Sequence, residues 1–396
     1  MSRGRILLVD DEPMVLRAME RVLEMSLSDC DIVKAENGRQ ALELSETQPA
    51  DIIVSDMCMP DLSGSELLDV IHERYPQTVR MILSARAGSE YGLSAIESAH
   101  QYFLKPGDIV SLARKLQRVL DLRARLPNRE LDRIVARIGT LPSLPDLYRE
   151  LEAEIEREDA SIYAVGRILE QDVAMSAKIL QLVNSAFFGV RSRISSATQA
   201  ATLLGMNLIK SLALASHVFS VLDKDDPRAP FLRELWRHSA DVSGRARRIA
   251  LTEKAGHDLV EEACIGGLFH DIGKLVIATS LPDTHEDIQR MLSEKAIADV
   301  EAEQEILGVT HHEIGGYLLT LWGFSETVVH VALYHGIPSR SEEIPGFGPL
   351  GVVHAANVFD HENVSPAESL PPDMAWLETA GLVRKMDDWR SLAVSA

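Results

Sequence analysis

A chain of 396 residues is too long for one ordinary core, so two or three domains are expected. Its 46% hydrophobic and 25% charged residues fit a globular protein, and a net charge of −20 with no long Lys/Arg stripe argues against nucleic acid as a partner. Three cysteines without paired spacing, no apolar run long enough to span a bilayer, and a start that runs from Met1 straight into a short strand point to a cytoplasmic protein without a membrane segment.

Residues 5–121 alternate strand-like and helix-like segments. Apolar runs predict strands at 5–10, 31–35, 51–56, 79–83 and 101–104, with helices starting after Pro13, Asn37, Gly64, Gly88 and Gly107. Such an alternation predicts a doubly wound, five-stranded parallel sheet with helices on both faces. Four of the strands deliver polar residues at their C-terminal ends: Asp10 and Asp11, Asp56, Ser84 and Lys105. In an open parallel sheet those ends line one crevice. Three carboxylates, a hydroxyl and an ammonium there suit a divalent cation and the capture of a phosphoryl group. A charged stretch, Asp121 to Arg129 with Pro127 inside it, closes this unit.

Beyond about residue 130 the period changes to three and four, as in Ile162, Val165, Ile168, Leu169, which predicts an all-helical unit of about a dozen helices. Gly- and Pro-rich stretches at 341–350 and 364–373 read as loops. Within an apolar helical stretch lie His270 and Asp271, followed one turn on by Lys274. A second His-Asp pair, His257-Asp258, has no such surroundings and carries no weight. Glu234 and His238 share one helix face, and His312 and His335 come from further helices. Asn184 and Ser185 read as a helix end with Gly189 completing the turn. Trp236, Phe187, Phe188, Trp376 and Trp389 read as core packing.

The front unit resembles the receiver domain of two-component response regulators over 4–121. Its segment from Asp56 through Met59-Pro60 to Gly64 has that family's D-x-x-M-P-x-x-x-G form. The resemblance implies a flavodoxin-like fold in which a sensor histidine kinase phosphorylates Asp56. It also implies Mg²⁺ bound by Asp10, Asp11, Asp56 and the carbonyl of Cys58. Ser84 and Lys105 would hold the phosphoryl oxygens, Tyr102 would be an aromatic switch, and Lys105-Pro106 a cis peptide. Receiver domains of this kind also allow a homodimer.

The rear unit resembles the HDOD family, the HD-related output domain, across about 137–338. The resemblance rests on Leu141-Pro142-Ser143-Leu144-Pro145, on Asn184 to Gly189, on Trp236-Arg237-His238-Ser239 and on Gly267 to Gly273. It implies an HD-like fold that regulates mostly without catalysis, acting on a downstream signalling protein. The wider HD phosphohydrolase superfamily holds one or two divalent metals (Fe, Mn, Zn or Ni). On that pattern the metal site here would comprise Glu234, His238, His270, Asp271, His312 and His335, with Lys274 as a catalytic candidate. The superfamily's last carboxylate falls at Asn357, an uncharged and poorer ligand. His335-Gly336-Ile337-Pro338 also lacks the Gly-Tyr-Pro signature of the cyclic-di-GMP phosphodiesterases. The domains expected are a receiver at 1–122, a helical linker at 123–136, HDOD at 137–340 and a C-terminal helical extension at 341–396. The alternative function is a phosphorylation-gated phosphohydrolase acting on a nucleotide second messenger.

Overall fold

Five apolar runs become five strands: β1 (Gly4–Val9), β2 (Cys30–Ala35), β3 (Ile52–Asp56), β4 (Val79–Ser84) and β5 (Gln101–Leu104). The computed structural model describes residues 4–84, 99–105, 109–124, 135, 138, 142–143, 145–157, 159–184, 194–214, 220–221, 226–295, 297–342, 345–364 and 371–393. The chain divides into two units, Met1–Thr140 with Gln181–Ile194 and Thr320–Gly323, and Leu141–Leu180 with Ser195–Leu319 and Phe324–Ala396. The predicted helix after Gly88, Pro106 and most of the 123–136 linker lie outside the described residues.

In the first unit all five strands are parallel, in the order β2-β1-β3-β4-β5. Ile6, Leu8, Ile52, Ile53, Val54, Met81 and Ile82 are wholly buried, as uninterrupted apolar strands must be when helices cover both faces. Those helices are α1 (Pro13–Ser26), α2 (Gly38–Thr47), α3 (Gly64–Arg74) and α4 (Ile109–Arg123). Asn37 caps α2 by accepting the Gln40 N–H, and Ser63 with Glu66 forms a reciprocal capping box on α3. A Cβ on Gly64 would lie 2.1 Å from the Asp56 carbonyl oxygen, so only glycine lets α3 begin against the end of β3. β2 and β3 flank β1 on opposite sides, and the crevice at this switch of direction opens beyond the strand C-termini.

Among the described residues of the rear, fourteen helices follow: α5 (Pro145–Glu156), α6 (Ile162–Glu170), α7 (Val173–Val183), α8 (Ala197–Leu214), α9 (Ala229–Thr252), α10 (His257–Phe269), α11 (Ile272–Ser280), α12 (Pro282–Lys295), α13 (Asp299–Leu307), α14 (His311–Leu321), α15 (Glu326–Tyr334), α16 (Pro349–Val364), α17 (Met374–Thr379) and α18 (Val383–Ala393). Two short strands, β6 (Pro142–Ser143) and β7 (Ser220–Val221), pair in parallel. No single helix among the described residues is long and apolar enough to cross a membrane. The core around α9, α10 and α16 gathers Val242, Ala246, Val260, Val353, Phe359, Trp376 and Trp389. Trp236 is buried too, as packing requires. Asn184 follows α7, and its side chain pairs in both directions with the backbone of Ile194 at 2.6 and 2.7 Å. Ser185, Phe187, Phe188 and Gly189 lie outside the described residues.

Glycines set the closest helix approaches. A Cβ on Gly267 would meet the Ser243 Cα at 2.8 Å, so α10 lies tight on α9. One on Gly273 would meet the His311 carbonyl oxygen at 1.9 Å, with Gly315 facing Gly273 from the other side. These contacts draw the start of α11 onto the start of α14. His238, Asp271 and His311 are thereby brought into one place.

Candidate functional sites

In the first unit Asp10 follows β1, Asp56 ends β3, Ser84 ends β4 and Lys105 follows β5. Parallel pairing therefore puts all four at one edge of the sheet. Asp10 is fully buried, Asp56 and Ser84 nearly so, and Asp11 is exposed. The Lys105 ammonium lies 2.5 Å from Asp10 Oδ2 and 2.8 Å from Asp56 Oδ1. Its backbone N–H donates to the Ser84 carbonyl at 2.7 Å, which fixes the start of the loop. Burial, with the charge of Asp10, holds the Asp56 carboxyl above the usual carboxylate range, although Lys105 pulls it the other way. Burial works against the Lys105 charge as well, but its hydrogen bonds to Asp10 and Asp56 win and raise its affinity for the proton. Carboxylate oxygens of Asp10, Asp11 and Asp56 lie within 4.8 Å of one another. An all-oxygen donor set of this charge fits a small hard cation such as Mg²⁺. The side chain of Tyr102 lies outside the described residues.

In the second unit the junction of α10 and α11 is the centre of a buried polar cluster. His270 donates from Nδ1 to the Gly267 carbonyl at 2.7 Å and turns Nε2 toward His238 Nε2, 3.1 Å away. His238 directs Nδ1 at Asp360 Oδ2, 2.8 Å away. Asp271 Oδ2 lies 3.6 Å from His270 Nε2, 3.8 Å from His238 Nε2 and 3.0 Å from the Lys274 ammonium. Its other oxygen faces His311 Nε2 at 3.2 Å and His335 Nε2 at 3.3 Å. Lys274 also reaches Asp299 at 2.8 Å. His312 stacks edge-on against His311 and His335, against the Cα of Gly336, where a Cβ would sit 2.8 Å from its ring.

Burial drives His270, His312 and His335 below the usual histidine range, so their rings are neutral. Burial also opposes the charge of His311, but Glu303 outweighs it and raises His311 to about 9. Asp271 is held well below the usual carboxylate range because Lys274 and the surrounding rings overcome the cost of burial. Lys274, although buried, is raised by Asp271 and Asp299.

The cluster unites His238, His270, Asp271, His312, His335 and Lys274. Glu234 is not part of it: Arg237, three residues on, holds its carboxylate at the surface at 2.5 Å. Asn357 is buried, and its side-chain oxygen has no hydrogen-bond partner. Sequence reasoning missed His311, Asp299, Glu303 and Asp360. Thr310 and Glu313 at capping-box spacing are a signal that fixes the start of α14 and so the place of His311. Asp360 stands one turn after Asn357 on the same helix face.

His238, His270 and Asp271 each offer a ligand atom within 4.8 Å of the others, as do His311, His312 and His335. Two imidazole nitrogens facing each other, each with its other nitrogen on an acceptor, and a carboxylate beside them form a donor set that fits a divalent transition metal. Buried polar atoms without a hydrogen-bond partner, in Asp271, His311 and Asp360, sit in the same cluster.

A family model described as HDOD domain matches residues 141–338, half of the chain, and one described as response regulator receiver domain matches residues 6–117. A protein of Treponema pallidum is 28% identical over 243 residues, which is 60% of this chain and 46% of its own length. The response regulator protein PilR of Pseudomonas aeruginosa is 30% identical over 168 residues, 42% of this chain and 37% of PilR. The chain thus spans less than half the length of these curated relatives. Among solved structures, the MmoQ response regulator of Methylococcus capsulatus superposes with a TM-score of 0.49 at 22% identity, covering 63% of this chain and 98% of that one.

Proposed function

Because the chain belongs to the HDOD family and carries a response regulator receiver domain ahead of that output domain, we propose a two-component regulator in which phosphorylation of Asp56 by a histidine kinase controls what the HDOD domain binds. On this reading the receiver is 1–122, the linker 123–136, HDOD 137–340 and its helical extension 341–396. The observation that carries it is the buried Asp56 carboxylate beside Asp10, with Lys105 joining the two at one sheet edge.

An Asp56 oxygen attacks the phosphorus of the donor's phosphohistidine. The new O–P bond forms as the P–N bond breaks, and the imidazole leaves with the electron pair. Asp10, Asp11, Asp56 and the Cys58 carbonyl would hold Mg²⁺, which when bound offsets the charge of the incoming phosphoryl group. Lys105 exchanges its Asp56 contact for the phosphoryl oxygens, and Ser84 donates its hydroxyl to another. The added charge of roughly −1.5 to −2 thus acts differently on two arrangements of these side chains, which any phosphorylation switch requires. Incubating the protein with Mg²⁺ and a labelled small phosphodonor should label Asp56, and Asp56→Asn should remain unlabelled. No label on the wild-type protein would sink the proposal. Pull-downs with and without Asp56→Ala then test whether the partners depend on the phosphate.

A second reading is favoured by the His238–His270–Asp271 arrangement. There the HDOD domain holds a divalent metal, of the Fe, Mn, Zn or Ni class. With Lys274 nearby, the metal would supply Lewis acidity toward a phosphodiester of a nucleotide or cyclic dinucleotide. The neutral Asn357 and the outward Glu234 favour binding over hydrolysis. Metal analysis of purified protein against His270→Ala tests this reading, and a metal content unchanged by that substitution would remove it.

A further inference from the structure

Resting on that second reading, we infer that Asp360 is the positioning residue of the His238–His270–Asp271 centre, placing a buried negative charge behind His238. Asp360 is almost wholly buried. One of its oxygens lies 2.8 Å from His238 Nδ1, and the other lies 3.3 Å from Arg245 Nε. His238 and Arg245 stand two turns apart on α9, so a single carboxylate on α16 is hydrogen-bonded to that helix through Oδ2 and ion-paired to it through Oδ1. A carboxylate paired with a guanidinium accepts hydrogen bonds and donates none. The hydrogen between the two groups therefore belongs to His238 Nδ1, and Nε2 is left to present its lone pair on the side of His270 and Asp271. The His361 ring packs against that of His238, 4.9 Å away between centroids.

The alternative carboxylate position, Asn357, lies one turn earlier on the same face of α16 and leaves a buried, unpartnered oxygen. The charge on this face of α16 therefore stands not at Asn357 but at Asp360, against His238. Carboxylates in this second position typically change metal affinity by about 10–100-fold.

The test uses full-length protein stripped of metal with a chelator, then titrated with Co²⁺ by calorimetry and visible absorption. Wild type should bind Co²⁺ and His270→Ala should not. Asp360→Asn should bind about 10–100-fold more weakly with a shifted absorption band, and Asp360→Glu should recover part of the loss. The metal-free melting temperature of each variant separates a positioning effect from a general loss of structure. Wild-type affinity in Asp360→Asn overturns the inference while leaving the metal reading intact. Failure of the wild type to bind, or binding that survives His270→Ala, overturns both. A further measurement needs no variant: in Zn²⁺-loaded wild type, ¹⁵N NMR should find His238 protonated at Nδ1 and coordinated through Nε2. The reverse assignment overturns the inference.

Discussion

Asp56, the proposed nucleophile, is kept where its own charge is disfavoured. Burial and Asp10 raise its affinity for a proton, and Lys105 recovers only part of that cost. Only the carboxylate attacks phosphorus, so the labelling rate should fall as the pH drops through the raised Asp56 value, earlier than a free aspartate would. Rates that follow an unshifted carboxylate would contradict this. The stability consequence has the opposite sign. A carboxyl whose folded affinity for protons exceeds its unfolded one costs stability at neutral pH, and the cost vanishes on acidification. Asp56→Asn should therefore raise the unfolding free energy of the receiver, by about 1 kcal/mol, while abolishing labelling. Denaturant titration of the two proteins at pH 7 checks it, and a less stable variant would refute it. In the rear unit, Asn357→Asp adds a buried carboxylate one turn before Asp360 on α16. Co²⁺ should bind this variant at least about 10-fold more tightly than wild type, and weaker binding would show that residue 357 does not face the metal.

At the scale of elements, contacts between backbones decide whether the rear site exists. Gly273 opens α11 where the His311 carbonyl leaves no room for a methyl group, and Gly315 meets it from α14. Gly273→Ala must push these two helix starts apart, and the collision is with backbone that cannot rotate away. A loss of about 3 kcal/mol is expected, together with loss of metal binding, because Asp271 and His311 sit beside the contact. An unchanged melting temperature would contradict the packing described. The same contact explains what the sequence could and could not reveal. Asp10, Asp56, Ser84 and Lys105 were legible because each closes its own strand and parallel pairing brings strand ends together without further information. The side chains of the rear cluster come from five helices, and glycine contacts set how closely some of these approach. A histidine doublet does not say which ring faces inward, so His312 was expected where His311 meets Asp271. Glu234 was expected beside His238 by helix periodicity, yet Arg237 draws it outward. Asn357, the position expected for the last carboxylate, lies one turn before Asp360 on the same helix.

For the molecule as a whole, the buried histidines predict a stability profile with two limbs. His361 is lowered to about 4, chiefly by burial and then by His238, and His270, His312, His335 and His354 are lowered too. A lowered group contributes stability that is complete above its unfolded value of about 6.5 and is lost as pH falls toward the folded value. His311 runs the other way, since Glu303 raises it to about 9 against the cost of burial. Its contribution is complete below about 6.5 and disappears as pH rises through 9, a loss of about 3 kcal/mol at ~1.4 kcal/mol per pH unit. The helical rear should therefore be most stable near pH 6.5 and weaken in both directions, with chelator present to keep metal out of the balance. Tryptophan fluorescence reports chiefly on this part of the chain, because three of the four tryptophans, Trp236, Trp376 and Trp389, lie in the second unit and only Trp322 falls in the Thr320–Gly323 segment of the first. Urea unfolding followed by that signal between pH 4 and 9 should give a maximum near 6.5. In His311→Gln the alkaline limb should flatten while the acid limb remains. If wild-type stability instead climbs from pH 6.5 to 9, His311 is not the charged partner of Glu303 and Asp271, and the electrostatic account of the cluster fails with it.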